Sequence, residues 1–137
     1  MKLLIPELSP KSPYWIPRHR YYELKHFCLQ YPTWRKAYEH LNALSARPYD
    51  IEAIEKSGVS DPTAKIATSK AYFSARTRMI IETAEETDAD LARFLLHAVT
   101  EELSYDILEA RYEIPCSRAK YYELYRKFFW LLDKKRG

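Results

Sequence analysis

Apolar residues recur at helical spacing through the first third of the chain. Over residues 18–30 they follow the i, i+3, i+6, i+7 spacing of an amphipathic helix, at Tyr21, Leu24, Phe27 and Cys28. Pro32 favours the start of a second helix, because proline fits the first helical position. This second helix is predicted to extend roughly to Leu44, with an inner face formed by Trp34, Ala37, Tyr38 and Leu41.

The longest helical pattern lies in the middle of the chain. Asp61 and Pro62 form a helix start, an N-cap residue followed by proline at the first helical position. No helix-breaking residue follows for about 25 residues, and apolar positions recur every seven residues at Ile66, Phe73 and Ile80. The sequence therefore predicts a helix over 62–86. Its length of about 37 Å exceeds what a small core needs and favours packing on a partner.

Three further helices are predicted after this long one. Asp88 can cap a helix that buries Leu91, Phe94, Leu95 and Ala98. Ser104 can cap the next, which Ile114 and Pro115 stop because the residue before proline is pushed out of the α region. Ser117 can cap the last helix, whose predicted buried stripe is Tyr121, Leu124, Phe128, Leu131 and Leu132.

These patterns predict an all-α protein of six helices without a strand. Only two glycines occur among 137 residues, whereas tyrosine appears 12 times, so the composition favours helices over hairpins. Residues 1–17 contain four prolines and are predicted to form an extended arm. A helical region with the one long helix follows over 18–100, interrupted by a predicted loop at 45–60, and a helix-turn-helix over 101–137 completes the chain.

The net charge of +3 is unevenly distributed along the sequence. Residues 1–40 carry seven basic and three acidic groups, residues 41–110 carry seven and thirteen, and residues 111–137 carry eight and three. The positive charge therefore lies at the two ends. Such asymmetry suits an anionic partner held by one part of the molecule, although an ordinary solvated surface is the alternative interpretation.

The last helix has the residue types that base reading in a DNA major groove requires. Opposite its apolar stripe lie Arg118, Tyr122, Glu123 and Arg126, with the small Ala119 beside them. Arginine can pair with guanine, and glutamate can accept a hydrogen bond from cytosine. The phosphates would be contacted from the flanks and the end by Lys120, Lys127, Lys134, Lys135 and Arg136. The alternative is a solvated or interface helix, and the outward Trp130 favours packing on another element.

Catalytic and metal-binding classes are not favoured. The four histidines, His19, His26, His40 and His97, show no ligand spacing, and the cysteines Cys28 and Cys116 form no metal-binding motif. The chain has no glycine-rich phosphate loop and no partnered nucleophile. The acids within 82–90 could bind a divalent ion, but a solvated helix end explains them better. We expect no enzyme activity and no cofactor.

The sequence predicts a reduced, cytoplasmic protein without a membrane segment. The opening MKLLIPELSP is too short for a signal peptide, and no run approaches 18 apolar residues. Neither cysteine lies in a disulfide pattern.

Three segments carry a family resemblance: YYELKHFCLQYPTW, GVSDPTAKIA and IPCSRAKYYELYRKFFWLLDKKR. Across about residues 18–136 the chain resembles small phage-encoded proteins related to late-gene transcriptional activators of the RinA and ArpU type. The C-terminal halves of those regulators are similar to the helix-turn-helix of sigma factor region 4. The resemblance implies promoter recognition by the second helix, in the cytoplasm of a bacterial host, at the matching positions Ser117, Arg118, Lys120, Tyr121, Tyr122 and Arg126. Tyr121 is nevertheless expected in the core.

The resemblance predicts a phage or prophage transcription regulator that binds double-stranded DNA. RNA polymerase and a second copy of the chain are the expected further partners. The turn YEIPC lacks the glycine common in helix-turn-helix motifs, which predicts an unusual angle between the two helices. The alternatives are a phage small terminase subunit, which acts in DNA packaging, and a protein-interaction module without a DNA role.

Overall fold

A computed structural model describes residues 12–46 and 62–137, and every regular element in these residues is an α-helix. The prediction of an all-α fold is therefore confirmed. The helices are α1 (Arg18–Leu29), α2 (Tyr31–Ala46), α3 (Pro62–Thr87), α4 (Ala92–Glu101), α5 (Tyr105–Tyr112) and α6 (Arg118–Arg136). Residues 1–11 of the arm predicted over 1–17, residues 47–60 of the loop predicted over 45–60 and the Asp61 cap lie outside the described residues.

The described helices form two compact units. The first contains α1, the end of α3 from Met79, and α4, α5 and α6, and we call it the aromatic unit. The second contains α2 and α3 up to Arg78, and we call it the basic helical pair. The aromatic unit contains more of the chain than the 101–137 region that the sequence predicts as a helix-turn-helix, because α1 and α4 belong to the same compact unit.

The core of the aromatic unit forms where α1 packs on α4 and on α6. Tyr21, Leu24, Phe27 and Cys28 of α1 are all buried, as their spacing predicts. The ring of Tyr21 lies 5.1 Å from the ring of Phe129, centroid to centroid, and edge-on to it. Edge-to-face aromatic pairs of this kind stabilise a core beyond the area that they bury.

Tyrosine side chains form a cluster inside this core. The hydroxyl groups of Tyr21 and Tyr125 lie 2.8 Å apart and share a hydrogen bond. The Tyr121 hydroxyl is buried and has no hydrogen-bond partner among the described residues. Burial raises the pKa of Tyr21, Tyr121 and Tyr125 above the ordinary phenol value, so all three stay neutral.

Two ion pairs hold α1 to distant parts of the aromatic unit. Arg20 Nε donates to Asp133 Oδ1 of α6 over 2.6 Å. Lys25 Nζ lies 2.5 Å from Glu102 Oε1, directly after α4. Since Arg20, Lys25 and Asp133 are partly buried, their charges are screened less by water than those of fully exposed pairs. The pairs therefore help to fix the position of α1.

The described part of the N-terminal arm docks on the last helix. Residues 12–17 form a turn and no helix, as the prolines predict. The ring of Tyr14 lies 5.5 Å from the ring of Trp130, centroid to centroid. Lys134 Nζ lies 4.1 Å from the centre of the same tryptophan ring. The outward tryptophan is thus covered from within its own chain, whereas Trp15 is 40% exposed.

The entry to α4 differs from the prediction. Asp88 Oδ1 accepts hydrogen bonds from the backbone N–H groups of Asp90 and Leu91, at 2.9 and 3.0 Å. It therefore caps a turn, and the helix itself begins only at Ala92. The expectation that Asp88 directly caps α4 is wrong by one turn, because its side chain bonds locally to the nearest N–H groups. The buried positions Leu91, Phe94, Leu95 and Ala98 are as predicted.

The long helix α3 runs unbroken over 26 residues, one residue beyond the predicted end. In its last part, Thr83 Oγ1 donates to the Met79 carbonyl over 2.6 Å, and Thr87 Oγ1 donates to the Thr83 carbonyl over 2.7 Å. Both threonines are buried, and these bonds satisfy hydroxyl groups that would otherwise be costly to bury.

The basic helical pair is less tightly packed. Tyr31 and Trp34 are its buried side chains among the described residues, while Tyr38, Ile66 and Phe73 are half-buried. Lys70 Nζ of α3 donates to Asn42 Oδ1 over 3.0 Å and lies 5.6 Å from the centre of the Tyr38 ring. These polar contacts hold the two helices of the pair together.

Candidate nucleic-acid interface

The two helices proposed as a helix-turn-helix, α5 and α6, are joined by residues 113–117. Both caps are as predicted: Ser104 Oγ accepts from the Ile107 N–H over 3.4 Å, and Ser117 Oγ accepts from the Lys120 N–H over 3.1 Å. These side chains satisfy backbone donors that a helix start leaves free. Both helix starts are therefore fixed by the local sequence.

The turn is held without a glycine. Glu113 takes the left-handed conformation, with φ of 53°, and its N–H donates to the Glu109 carbonyl over 3.1 Å. The Tyr105 hydroxyl donates to the Cys116 carbonyl over 2.6 Å, and Ile114 is buried. A non-glycine residue with positive φ is strained, so these contacts must stabilise it. The turn is thus built from side chains that reach back to α5.

One broad face of α6 anchors this helix in the core. The buried residues are Tyr121, Leu124, Tyr125, Phe128, Phe129 and Leu132. The stripe predicted from the sequence left out Tyr125 and Phe129, which are buried because Tyr21 of α1 packs against both rings. It included Leu131, which is only half-buried. Residues 117–120 are exposed, so the first turn of α6 extends beyond the face that is packed.

Arg118 is held by α5. Its Nη2 forms an ion pair with Asp106 Oδ1, and its guanidinium lies 5.1 Å from the centre of the Tyr105 ring. The hydrogen bond with Asp106 raises the pKa of Arg118, so the guanidinium stays charged. Arginine has five N–H donors, and this pair uses one. The guanidinium is therefore oriented while other donors remain on its half-exposed surface.

Lys120, Glu123 and Arg126 lie further along the outward side of α6. Lys120 Nζ is 4.0 Å from Glu123 Oε2, and both side chains are about half exposed. Arg126 is half-buried and has no ion pair or side-chain hydrogen bond with another described residue. Exposed ion pairs at this distance contribute little to stability, so Lys120 and Glu123 can exchange partners readily.

Tyr122 differs from the other residues of α6 that the sequence predicts to contact bases. Its ring packs at 4.8 Å from the Tyr121 ring and 6.3 Å from the Tyr125 ring, between centroids. Its hydroxyl is buried and has no hydrogen-bond partner within residues 12–46 and 62–137. In this conformation the hydroxyl does not point to solvent, so Tyr122 extends the tyrosine cluster.

The basic residues predicted as phosphate contacts at the end of α6 are engaged within the aromatic unit. Lys127 Nζ donates to the Thr87 carbonyl over 3.3 Å, and Lys135 Nζ lies 3.0 Å from Glu86 Oε1. Arg136 stacks over the Phe27 ring at 3.9 Å, and Lys134 covers Trp130. The predicted site therefore divides into two groups: Ser117, Arg118, Lys120, Glu123 and Arg126 near the turn, and Lys127, Lys134, Lys135 and Arg136 along the packed end of α6.

Two residues that sequence reasoning missed complete the surface near the turn. Asp106 and Tyr105 both contact the Arg118 guanidinium from α5. The sequence gives only a weak indication of this role. An acid such as Asp106 is favoured in the first turn of a helix by the helix dipole, whether or not it has a partner. The pairing depends on how α5 and α6 meet, and spacing along the chain does not reveal it.

Other site chemistry is sparse in the described part of the chain. No group of three or more His, Cys, Asp or Glu side chains there could hold a metal ion. Burial raises the pKa of the Cys28 and Cys116 thiols, so both stay protonated. His97 stacks on Tyr112 with ring centroids 4.5 Å apart, which ties α4 to α5.

Among the helices described, none is both long and apolar enough to cross a membrane. Comparison of the chain with protein-family models, with curated proteins and with solved structures finds no match.

Proposed function

We propose that the protein binds double-stranded DNA through the start of α6, which α5 supports, and regulates transcription of phage late genes. The observation that carries the proposal is the exposed first turn of α6. It follows a turn that is held by side-chain contacts, and the rest of α6 is anchored in the core by its buried aromatic face. Recognition helices contact base edges with their N-terminal residues while the rest of the helix is held by the protein.

The oriented arginine at this position supports the proposal. Arg118 is fixed by Asp106 and stacked near Tyr105, so little side-chain freedom is lost when it forms a further hydrogen bond. Arginine with two free N–H groups can pair with guanine O6 and N7. Arg118 would therefore be the principal base contact, and Asp106 would be its positioning residue.

Lys120, Glu123 and Arg126 supply the remaining contacts of the proposed interface. Lys120 and Arg126 add positive charge, which suits phosphate or guanine, and Glu123 can accept from the cytosine amino group. We assign no base contact to Tyr122, because its hydroxyl is buried. Regulation of late genes, RNA polymerase as a partner and a second copy of the chain are carried by the sequence resemblance alone.

A fluorescence-anisotropy titration tests the DNA proposal. The probe is a duplex from upstream of the late genes of the source prophage, and a scrambled duplex of equal composition is the reference. Loss of a bidentate arginine contact costs about 1–3 kcal/mol of discrimination. We expect Arg118→Ala to reduce the preference for the native duplex by about tenfold or more, with an unchanged circular dichroism spectrum.

Asp106→Asn is the sharper variant because it keeps the shape of the side chain and removes its charge. It should lower the preference for the native duplex, while binding to the scrambled duplex stays equal or becomes tighter. A double variant of exposed arginines outside the proposed interface, Arg93→Ala with Arg111→Ala, is the control and should retain the preference. The proposal is wrong if wild-type protein binds both duplexes equally.

A further inference from the structure

Positive charge is concentrated in the basic helical pair. Residues 31–78, which this unit spans, carry eight basic and five acidic side chains, and the described residues among them carry six basic side chains and one acidic side chain, Glu39. The basic ones are Arg35, Lys36, Lys65, Lys70, Arg76 and Arg78. The described residues of the aromatic unit carry twelve basic and thirteen acidic side chains. The aromatic unit, which contains α6, is therefore close to neutral, and the excess of positive charge lies in the basic helical pair.

The two units also differ in how their cations are used. In the aromatic unit, ion pairs engage Arg20, Lys25, Arg118, Lys120 and Lys135. In the basic helical pair, as far as the structure describes it, Arg35 with Glu39 forms the ion pair, and Lys70 is held by the neutral Asn42 and Ser45. The charges of Lys65 and Arg78 are exposed and meet no carboxylate among the described residues. These charges remain available to an external anion.

Arg76 is presented in a way that suits a phosphate group. Its guanidinium lies 3.5 Å from the centre of the Tyr72 ring, and Nη1 donates to the Tyr72 carbonyl over 3.3 Å. The ring fixes the plane of the guanidinium and leaves N–H groups at its edge. A planar guanidinium held in this way can donate two hydrogen bonds to one phosphate.

These groups share one side of α3. At 100° per residue, Lys65, Tyr72 and Arg76 fall within an arc of about 40° and span about 16 Å along the helix axis. Duplex DNA carries about one charge per 1.7 Å of its axis, so a cationic strip of this length meets several phosphates in any register. Base identity plays no part in such contacts.

The neighbouring surface favours nucleic acid over a lipid membrane. Other exposed positions on α3 are small, at Ala67, Thr68, Ala71 and Ala75. Helices that lie on membranes present a large apolar face of leucine, phenylalanine or tryptophan opposite their basic face. Tyr72, 49% exposed, is the large hydrophobic side chain that the described part of this unit exposes, and it is occupied by Arg76.

We propose that the basic helical pair is a second nucleic-acid surface, which binds the phosphate backbone of a duplex through Lys65 and Arg76 without reading sequence. This inference goes beyond the proposed function, because it requires no base contact by α6. It assigns backbone affinity to one unit and sequence preference to the other.

The test uses the full chain with Lys65→Gln and Arg76→Gln together. Lys65 is exposed, and the Arg76 guanidinium contacts the exposed ring of Tyr72, so the fold should be retained, as circular dichroism will verify. The slope of the logarithm of the binding constant against the logarithm of salt concentration should fall by up to about 2, since each phosphate contact contributes about 0.9. Affinity near 0.1 M salt should fall roughly tenfold or more, equally for native and scrambled duplexes.

The matched control removes the same number of charges from the aromatic unit, by Arg93→Gln with Arg111→Gln. It should leave the salt slope nearly unchanged. Equal losses in both double variants would mean that net charge alone acts, and an unchanged slope in the first would mean that the pair does not touch DNA. Either result overturns the inference.

Two further comparisons distinguish this inference from membrane binding and from the proposed base reading by α6. If Lys65 and Arg76 were needed for sedimentation with phosphatidylserine vesicles but not for duplex binding, the surface would bind membranes and the inference would be wrong. If duplex binding depended on these residues but no sequence preference existed, the inference would stand and the proposed base reading by α6 would fail.

Discussion

The aromatic unit and the basic helical pair place the same residue types, aromatic and basic, in different environments. In the aromatic unit, tyrosine and phenylalanine rings are buried and stacked, and Arg20, Lys25 and Lys135 pair with carboxylates that are distant in the sequence. In the basic helical pair, Tyr72 is exposed under an arginine, and Lys65 and Arg78 remain exposed. The aromatic unit engages more of its side chains within its own fold, and the described part of the basic helical pair leaves more of them exposed.

This difference teaches that the location of basic residues in the sequence is a poor guide to a DNA-binding surface. The C-terminal residues 111–137 carry five net positive charges, yet most of those at the end of α6 contact groups within the unit. Lys135 pairs with the carboxylate of Glu86, whereas Lys127, Lys134 and Arg136 are held against a backbone carbonyl or an aromatic ring, which restricts their movement toward an outside anion. Pairing within the fold decides which charges are free.

The largest expected contrast concerns packing. Phe128→Ala in the aromatic unit removes a fully buried ring and should lower the free energy of unfolding by about 3–5 kcal/mol. Phe73→Ala in the basic helical pair removes a half-buried ring and should cost about 1–2 kcal/mol. Urea unfolding followed by circular dichroism measures both. Equal costs would contradict the difference in packing between the two units.

Alkaline pH should weaken the aromatic unit. The folded chain keeps Tyr21, Tyr121 and Tyr125 protonated, whereas the unfolded chain releases these protons near pH 10, at about the ordinary phenol pKa. The stabilisation is therefore complete below about pH 10 and is lost as the pH rises above it, by about 1.4 kcal/mol per pH unit for each tyrosine.

Urea unfolding at a series of alkaline pH values, with tyrosinate absorbance recorded in parallel, measures this effect. The triple variant with phenylalanine at positions 21, 121 and 125 is the control and should show a smaller dependence on pH. An unfolding free energy that is constant through this range would contradict the burial of the three phenols.

Two conservative variants separate hydrogen bonding from packing in the tyrosine cluster. Tyr21→Phe leaves the buried Tyr125 hydroxyl without its described partner and should cost about 1–3 kcal/mol. Tyr121→Phe removes a buried hydroxyl that has no partner among the described residues, so it should be neutral or stabilising. Thermal unfolding compares the two. A larger cost for Tyr121→Phe would show that its hydroxyl has a partner.

The smallest expected contrast concerns Ser117 and Ser45. Ser117→Ala removes the cap of α6 and should cost about 1 kcal/mol. Ser45→Ala removes a side-chain hydrogen bond near the end of α2 and should cost a few tenths of a kcal/mol, about the range of ordinary surface changes. Ser117→Asn keeps a capping group and should restore most of the loss in urea unfolding. Failure of this rescue would contradict the capping role.

Much of the helical framework could be predicted because the signals are local. Prolines and capping serines determine where α3, α5 and α6 begin, and apolar spacing identifies the buried side of α1. The buried face of α6 was underestimated, since a single stripe ignores a second neighbour. Tyr125 and Phe129 are buried because α1 covers them, and helical periodicity does not specify which helix lies beside another.

The candidate site could be predicted only as a set of residue types. The sequence identifies Arg118 and Lys120 as exposed at the start of α6, and the structure places them there. It does not indicate that Asp106 holds Arg118, or that Lys135 pairs with Glu86, because these contacts join residues 12 and 49 positions apart. Such pairs depend on tertiary geometry, which a charge count along the chain does not contain.

The most direct test of base reading by α6 is selection from a pool of random-sequence duplexes by the full-length protein at near-physiological salt. Wild-type protein should enrich one short motif, since specific sites bind about 10³-fold or more tightly than nonspecific DNA. Arg118→Ala should retain less of this motif, whereas Lys65→Gln with Arg76→Gln should retain less DNA but enrich the same motif. Recovery of DNA by the wild-type protein without enrichment of any sequence would contradict the account.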